Sequence, residues 1–396
     1  VFKEVEQLNR KVDRPDQKVE RPNRKVEQLN QKVDRPDQKV ERSNRKVERS
    51  NLKGEQSHLP NLLIKGGGIM DFNIIRCARA ILHVRDLDAS RKFYVDALGF
   101  IETESDDDHI YLRGLEEHTH HSLVLKKADE PAVEALGYKV SSEADLEALS
   151  KMLEEKGYPT KWLEKGEQHA VGRTLRVQDN SGLPLEFFAE MEPMERLLQR
   201  YDLYKGSRMQ RIDHFNCGVP DVEEAYNFYQ KNFGFTCSEY TDTPEGNIWA
   251  AWLHRKQNVH DVAFMNGLGP RLHHIGFWLP DQLSLIHTCD VLASMGYGEA
   301  IERGPGRHGL SNAFFLYLRD PDGHRIELYS GDYLTSDPDF KPIRWDINDP
   351  MRQTFWGHAA PDSWFNEASA VLDVFTGEEV GQKPGKLKQH KPTFVI

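Results

Sequence analysis

The chain has 396 residues, 38% of them hydrophobic, enough to bury a sizeable core in about two or three domain-sized units. Its 63 acidic residues outnumber 52 basic ones, and the net charge of -11 argues against a surface built to neutralise nucleic-acid phosphates or anionic lipid. A small-molecule substrate is therefore expected, with no nucleic-acid or membrane partner, and an anionic substrate would need local basic residues.

The first 69 residues stand apart. From Lys11 to Leu52 a seven-residue unit repeats (KVDRPDQ, KVERPNR, KVEQLNQ and onward), with a single reliable valine per unit. Pro15, Pro22 and Pro36 would break a coiled coil, so residues 1–69 are expected to be a disordered extension. The run Lys65-Gly66-Gly67-Gly68-Ile69 before Met70 also fits a ribosome-binding sequence read in frame. Met70 is accordingly expected to be the natural start.

Beyond Met70 one plan occurs twice. Phe93-Tyr94-Val95-Asp96-Ala97-Leu98-Gly99-Phe100 is echoed by Phe228-Tyr229-Gln230-Lys231-Asn232-Phe233-Gly234-Phe235. Each echo follows a strand-like run (Ala80 to Val84; Ile212 to Val219), an aspartate (Asp86; Asp221) and an amphipathic helix capped by glycine. Further along, Asp179-Asn180-Ser181-Gly182-Leu183-Pro184-Leu185-Glu186 matches Asp320-Pro321-Asp322-Gly323-His324-Arg325-Ile326-Glu327, each a hairpin turn leading into a strand. Between them lie another strand and helix, ending at Gly157-Tyr158 and Gly296-Tyr297. Each half thus holds two strand-helix-strands units. The four cysteines, Cys77, Cys217, Cys237 and Cys289, form no Cys-x-x-Cys pair and read as reduced thiols. No run of about 18 apolar residues appears, and a cytoplasmic location is expected.

Over residues 76–332 this pattern resembles the vicinal oxygen chelate superfamily. The resemblance implies an α+β fold of four βαβββ modules forming two curled-sheet barrel domains. The expected organisation is a structural half at 70–200, a catalytic half at 201–332 and a tail at 333–396 that covers the catalytic opening. The duplication then serves as a control. Aligned on the echoes, His214, His274 and Glu327 stand where the first half has Arg79, Ala135 and Glu186. Two imidazoles and a carboxylate make a facial triad for non-haem Fe(II), with Mn(II) suited to the same donors. The second half is expected to hold the one metal, and the first to be a structural shell. Asp213 is expected on the strand face opposite His214, with His273 and His324 at the surface or just outside the ligands.

Within the superfamily the second half resembles the type I extradiol dioxygenases, through Asp213-His214-Phe215-Asn216, Val259-His260-Asp261-Val262-Ala263-Phe264, Leu272-His273-His274-Ile275-Gly276-Phe277, Gly306-Arg307-His308-Gly309 and Phe315-Leu316-Tyr317-Leu318. Glyoxalase-like isomerases or lyases and non-catalytic binding modules of the superfamily, the competing readings, would not account for His260, Tyr317 and His308 together. The resemblance implies cleavage of a catechol by O2 to a muconic semialdehyde, with 3,4-dihydroxyphenylacetate as the substrate expected, in a homotetramer. It makes His260 the acid-base and Tyr317 a hydrogen-bond partner of a substrate oxygen. Asn216, two residues along the strand from His214, shares its face. Trp252 is a candidate pocket wall, and Arg303, His308 and Arg352 are candidates for a substrate carboxylate. A plain four-residue hairpin loop would put Tyr317 and Glu327 on opposite faces, so the Tyr317 role demands a five-residue loop or a bulge.

Overall fold

The computed structural model describes residues 70–391; the repeat extension at 1–69 and the last five residues lie outside that range. The first half begins with β1 (Ile74–Val84), helix α1 (Leu87–Arg91), β2 (Ile101–Ser105), β3 (His109–Arg113) and β4 (Leu123–Lys127). A second unit follows with β5 (Val133–Val140), α2 (Glu143–Glu155), β6 (Thr160–Leu163), β7 (Thr174–Gln178) and β8 (Pro184–Phe188). The second half repeats this as β9 (Arg211–Val219), α3 (Val222–Phe233), β10 (Thr236–Asp242), β11 (Ile248–His254) and β12 (Val262–Asn266). Its last unit is β13 (Arg271–Trp278), α4 (Gln282–Ser294), β14 (Ile301–Arg307), β15 (Phe314–Arg319) and β16 (Arg325–Ser330). The four βαβββ modules are therefore present in the order expected.

One sheet runs β2-β3-β4-β1-β5-β8-β7-β6 and the other β14-β15-β16-β13-β9-β12-β11-β10, extended by β17 (Ile343–Asp346) from the tail. The first and last strands of each sheet do not meet, so these are curled open sheets and not the barrels expected. In each, two modules join where their first strands pair antiparallel, β1 with β5 and β9 with β13. Among the described residues no helix is long and apolar enough to cross a membrane.

Local chemistry sets the element ends. Asp221 caps α3 by accepting from the Glu224 amide, and Gly234 closes it at φ +67°, which a side chain would oppose. Val222, Ala225, Phe228, Tyr229 and Phe233 are its buried stripe. The matching helix in the first half is not uniform: α1 passes into a π-helical stretch (Lys92–Ala97) in which the Leu98 amide donates to the Phe93 carbonyl. β1 starts six residues before the strand read at Ala80, because its early polar positions hide their pattern: Arg79 is buried with a carboxylate partner.

The repeated aspartate and tyrosine explain each other. Tyr94 on the first half donates to Asp320 on the second at 2.9 Å, and Tyr229 on the second donates to Asp179 on the first at 2.9 Å. The two echoes are thus the two ends of a reciprocal, buried hydrogen bond that joins the halves.

Candidate metal centre

On β9, Phe215, Cys217 and Val219 belong to the hydrophobic core, while His214, Asn216 and Gly218 line a cavity on the other face. β13 lies beside it and pairs Gly276 with His214 and His274 with Asn216. β16 lies on the far side of β13 and pairs Glu327 with Gly276. Three neighbouring strands thereby bring two imidazoles and one carboxylate together. His214 Nε2 is 2.9 Å and His274 Nε2 3.1 Å from the same oxygen, Glu327 Oε2. All three residues are buried, and their candidate ligand atoms lie within 4.8 Å of one another. Burial opposes the charge on Glu327, but hydrogen bonds from both imidazoles outweigh it and hold the carboxyl well below its usual range. A buried anion facing two nitrogen donors suits a divalent transition-metal ion.

The strand pairing is irregular at both histidines. Between Ile212 and His214 β9 advances two residues while β13 advances one, which makes Asp213 the extra residue of a bulge. Between Leu272 and His274 the extra residue is His273 on β13. The expected alternation fails at these two points. Asp213 does not point away from His214: its carboxylate reaches His214 Nδ1 at 3.0 Å and is itself buried beside Lys256 Nζ at 3.6 Å. His273 takes the second of its two expected places, buried beside His274: its Nδ1 lies 2.7 Å from His274 Nδ1 and its Nε2 2.9 Å from the Trp364 carbonyl. His214 and His274 therefore each have Nδ1 engaged by a chain neighbour, leaving Nε2 aimed at Glu327. His324 is buried elsewhere, between Ser369 Oγ and the His83 carbonyl, where it braces the two halves.

Gly276 is required for space. A Cβ built on it would lie 2.2 Å from the His214 ring.

The other expected site residues gather around the triad. His260 lines the cavity with its ring centroid 3.9 Å from that of His214, and its Nδ1 is buried without a partner among the described residues. Burial, followed by the charge of His214, pushes its pKa well below 6.5, so the ring is neutral. The Asn216 side-chain oxygen is likewise buried and unpartnered. Tyr317 pairs directly with Glu327, because residues 320–324 form a five-residue loop between Arg319 and Arg325. The tyrosine and the carboxylate therefore share a face, and the Tyr317 hydroxyl lies 2.9 Å from His308 Nε2.

Trp252, His308 and Arg352 line the cavity; Arg303 is not among its lining residues. Arg303 stands behind Tyr317 and Trp364, its guanidinium 5.8 Å and 4.5 Å from their ring centroids, with one nitrogen donating to Thr354 Oγ1 at 2.6 Å. Burial lowers the pKa of Arg303 and of Arg352 to about 10, so both remain charged. Arg303 Nε and Nη1 and Arg352 Nε are buried with no partner among the described residues. Arg352 comes from the short helix α5 (Pro350–Gln353) of the tail, and Trp364 and Phe365, two further cavity walls, from α6 (Asp362–Asn366). Sequence reasoning missed Trp249, Trp364 and Phe365, and the bulges that turn Asp213 and His273 toward the neighbouring histidines. The adjacent pair His273-His274 was the one signal available for the bulges.

Residues 211–328 match the family described as Glyoxalase/Bleomycin resistance protein/Dioxygenase superfamily, and residues 133–192 match the catechol 2,3-dioxygenase-like N-terminal domain. Homoprotocatechuate 2,3-dioxygenase from Arthrobacter globiformis is 46% identical, with a TM-score of 0.76 over 78% of this chain and 96% of that one. The Brevibacterium fuscum homoprotocatechuate 2,3-dioxygenase, in its anaerobic complex with 3,4-dihydroxyphenylacetate, is 42% identical, with a TM-score of 0.77 over 82% of this chain and 100% of that one. A manganese-dependent 2,3-dihydroxybiphenyl 1,2-dioxygenase from Geobacillus genomosp. 3 is 31% identical over 72% of this chain and 95% of its own length. With the four modules and the convergent donor set beside these similarities, the chain belongs to the extradiol ring-cleaving dioxygenases of the vicinal oxygen chelate superfamily.

Proposed function

We propose that this enzyme cleaves 3,4-dihydroxyphenylacetate with O2 to a muconic semialdehyde. The observation that carries the substrate is the pair of charged arginines whose buried N–H groups lack partners. A buried, unpaired guanidinium nitrogen is costly, and a carboxylate on the substrate side chain would satisfy it in a protein whose net charge of -11 otherwise repels anions. Arg352 on the cavity wall makes the direct contact in this reading, and His308 flanks it. Arg303 supplies positive charge from behind Tyr317.

His214, His274 and Glu327 hold Fe(II) or Mn(II), which when bound supplies a Lewis-acidic, redox-capable centre with open positions. Tyr317 hydrogen-bonds one catechol oxygen, its hydroxyl held in place by the 2.9 Å contact with His308 Nε2. His260, neutral and with a free nitrogen, takes a proton from the catechol and returns it as the ring opens. Asn216 offers its amide beside His214 to orient the reacting oxygens. Trp252 and the tail residues Trp364 and Phe365 keep water out. The cysteines, all free and three of them buried, accord with a cytoplasmic enzyme, and we extend the homotetramer expectation to the working form.

Oxygen uptake with 3,4-dihydroxyphenylacetate and with 4-methylcatechol tests the substrate. The carboxylate-bearing catechol should have a kcat/KM about ten- to a hundredfold higher, the range of one charge-assisted hydrogen bond of about 1.5–3 kcal/mol. Equal values would refute the substrate assignment and leave the dioxygenase chemistry standing.

A further inference from the structure

The first half carries its own cluster of two histidines and a glutamate, made of residues other than those equivalent to the metal centre: Glu104 on β2, His120 ahead of β4 and His169 ahead of β7. His169 Nε2 is 2.8 Å and His120 Nε2 3.3 Å from one oxygen, Glu104 Oε2. In the catalytic half the corresponding distances are 2.9 Å and 3.1 Å. The orienting device recurs as well. His120 Nδ1 lies 3.0 Å from Nδ1 of its neighbour His121, as His274 Nδ1 lies 2.7 Å from Nδ1 of its neighbour His273. In each pair the second nitrogen is held and Nε2 is presented.

The backbone is built for this meeting. A register shift between Glu102 and Glu104 on β2 re-aims the carboxylate. The His120 amide donates to the Glu192 carbonyl at 2.9 Å, while the Glu192 amide donates to the Ala170 carbonyl at 2.8 Å, so one residue ties together the segments bearing both histidines. Gln168, next to His169, is anchored inward by a 2.6 Å hydrogen bond to Glu186. His120 is buried, whereas Glu104 and His169 are 54% and 42% exposed, so water can complete the coordination.

We propose that Glu104, His120 and His169 form a second metal site, selective for a borderline divalent transition-metal ion such as Zn2+. Two imidazoles disfavour Mg2+ and Ca2+, and three protein donors plus water make a tetrahedral shell. Donors at about 2.0–2.1 Å around such an ion stand roughly 3.3 Å apart, close to the separations present. The ion would clip the edge strand β2 to the two loops and is separate from the ion used for ring cleavage.

The test is zinc titration of the enzyme already loaded with its catalytic Fe(II) or Mn(II), with all metals counted after gel filtration. The expected result is one zinc per chain beyond any catalytic metal released, weakened at least about tenfold in Glu104→Gln and in His169→Asn, with ring cleavage by both variants unchanged. Absence of that extra equivalent, or its undiminished retention in both variants, would overturn the proposal.

Discussion

At the junction of its first strands each half of the molecule repeats the same pairing with the same two bulges, to which the first half adds a third between Ile74 and Arg76. Arg79 pairs with Gly137 as His214 pairs with Gly276, and Glu186 and Glu327 follow on the next strand. The bulge at Asp213 is matched by one at Ala78, and that at His273 by one at Glu134. What differs is what fills the centre. In the first half two guanidiniums, from Arg79 at 2.6 Å and Arg176 at 2.8 Å, neutralise Glu186, and Gln168 completes its hydrogen bonds. In the second, His214 stands in place of Arg79, Tyr317 in place of Arg176 and His274 in place of Ala135, which removes both fixed cations from around Glu327. One scaffold thus carries a structural ion-pair cluster in the first half and, in the proposed reading, a metal centre in the second.

The sharpest way to break this comparison is to remove the paired glutamates. Glu327→Ala, like His214→Ala or His274→Ala, should abolish retention of catalytic iron or manganese and reduce ring cleavage to background. Glu186→Ala should keep that metal yet lose about 3–5 kcal/mol of stability, because two buried guanidiniums lose their partner. Metal analysis beside chemical denaturation distinguishes the two; loss of catalytic metal from Glu186→Ala would contradict the division of roles.

The histidines at equivalent places in the last strand's approach, His121 and His260, offer the next contrast, since Leu123 pairs with Ala80 as Val262 pairs with Phe215. Replacing His260 with Phe should preserve metal and substrate binding while slowing ring opening at least about 100-fold, the lower end for lost acid-base catalysis. His121→Phe, which removes the neighbour of His120 Nδ1, should leave ring opening unchanged. Single-turnover rates at wild-type speed in His260→Phe would reassign that residue to structure.

Glycine provides a smaller but cleaner pair. Gly276→Ala drives a methyl into the His214 ring and should weaken catalytic-metal affinity by about 10- to 100-fold. At Gly137 the nearest atoms to a new Cβ are 3.0 Å away on Arg79, so Gly137→Ala should cost about 1–3 kcal/mol of stability with metal affinity intact. Equal metal affinities in the two variants would remove the steric argument.

The smallest effect concerns the substrate's side chain. Arg352→Met should erase most of the preference for 3,4-dihydroxyphenylacetate over 4-methylcatechol, a change of about ten- to a hundredfold expressed in KM. Arg303→Met, behind the cavity wall, should erase less. A larger loss at Arg303 than at Arg352 would reverse their assigned order.

Much of this was legible in the chain because the duplication let each position be compared with its twin, and that comparison singled out His214, His274 and Glu327; the loop at Tyr317 came instead from hairpin geometry, which demanded either the five residues found or a bulge. The bulges were not. Strict alternation assigns Asp213 and His273 to the wrong side, since an extra residue in a strand leaves no periodic trace. The open sheets were equally hidden, because closure depends on the strand edges and not on any module's own pattern. No sequence motif marks Trp249 or Trp364, which reach the cavity wall from β11 and from the tail helix α6.

The most direct test of the account is oxygen consumption per molecule of 3,4-dihydroxyphenylacetate in the conservative pair Glu327→Gln and Glu186→Gln, each supplied with Fe(II) or Mn(II). The account predicts one O2 consumed per catechol, with a yellow ring-opened product, for the unaltered enzyme and for Glu186→Gln, and none for Glu327→Gln. Turnover by Glu327→Gln, or its loss in a folded Glu186→Gln, would contradict it.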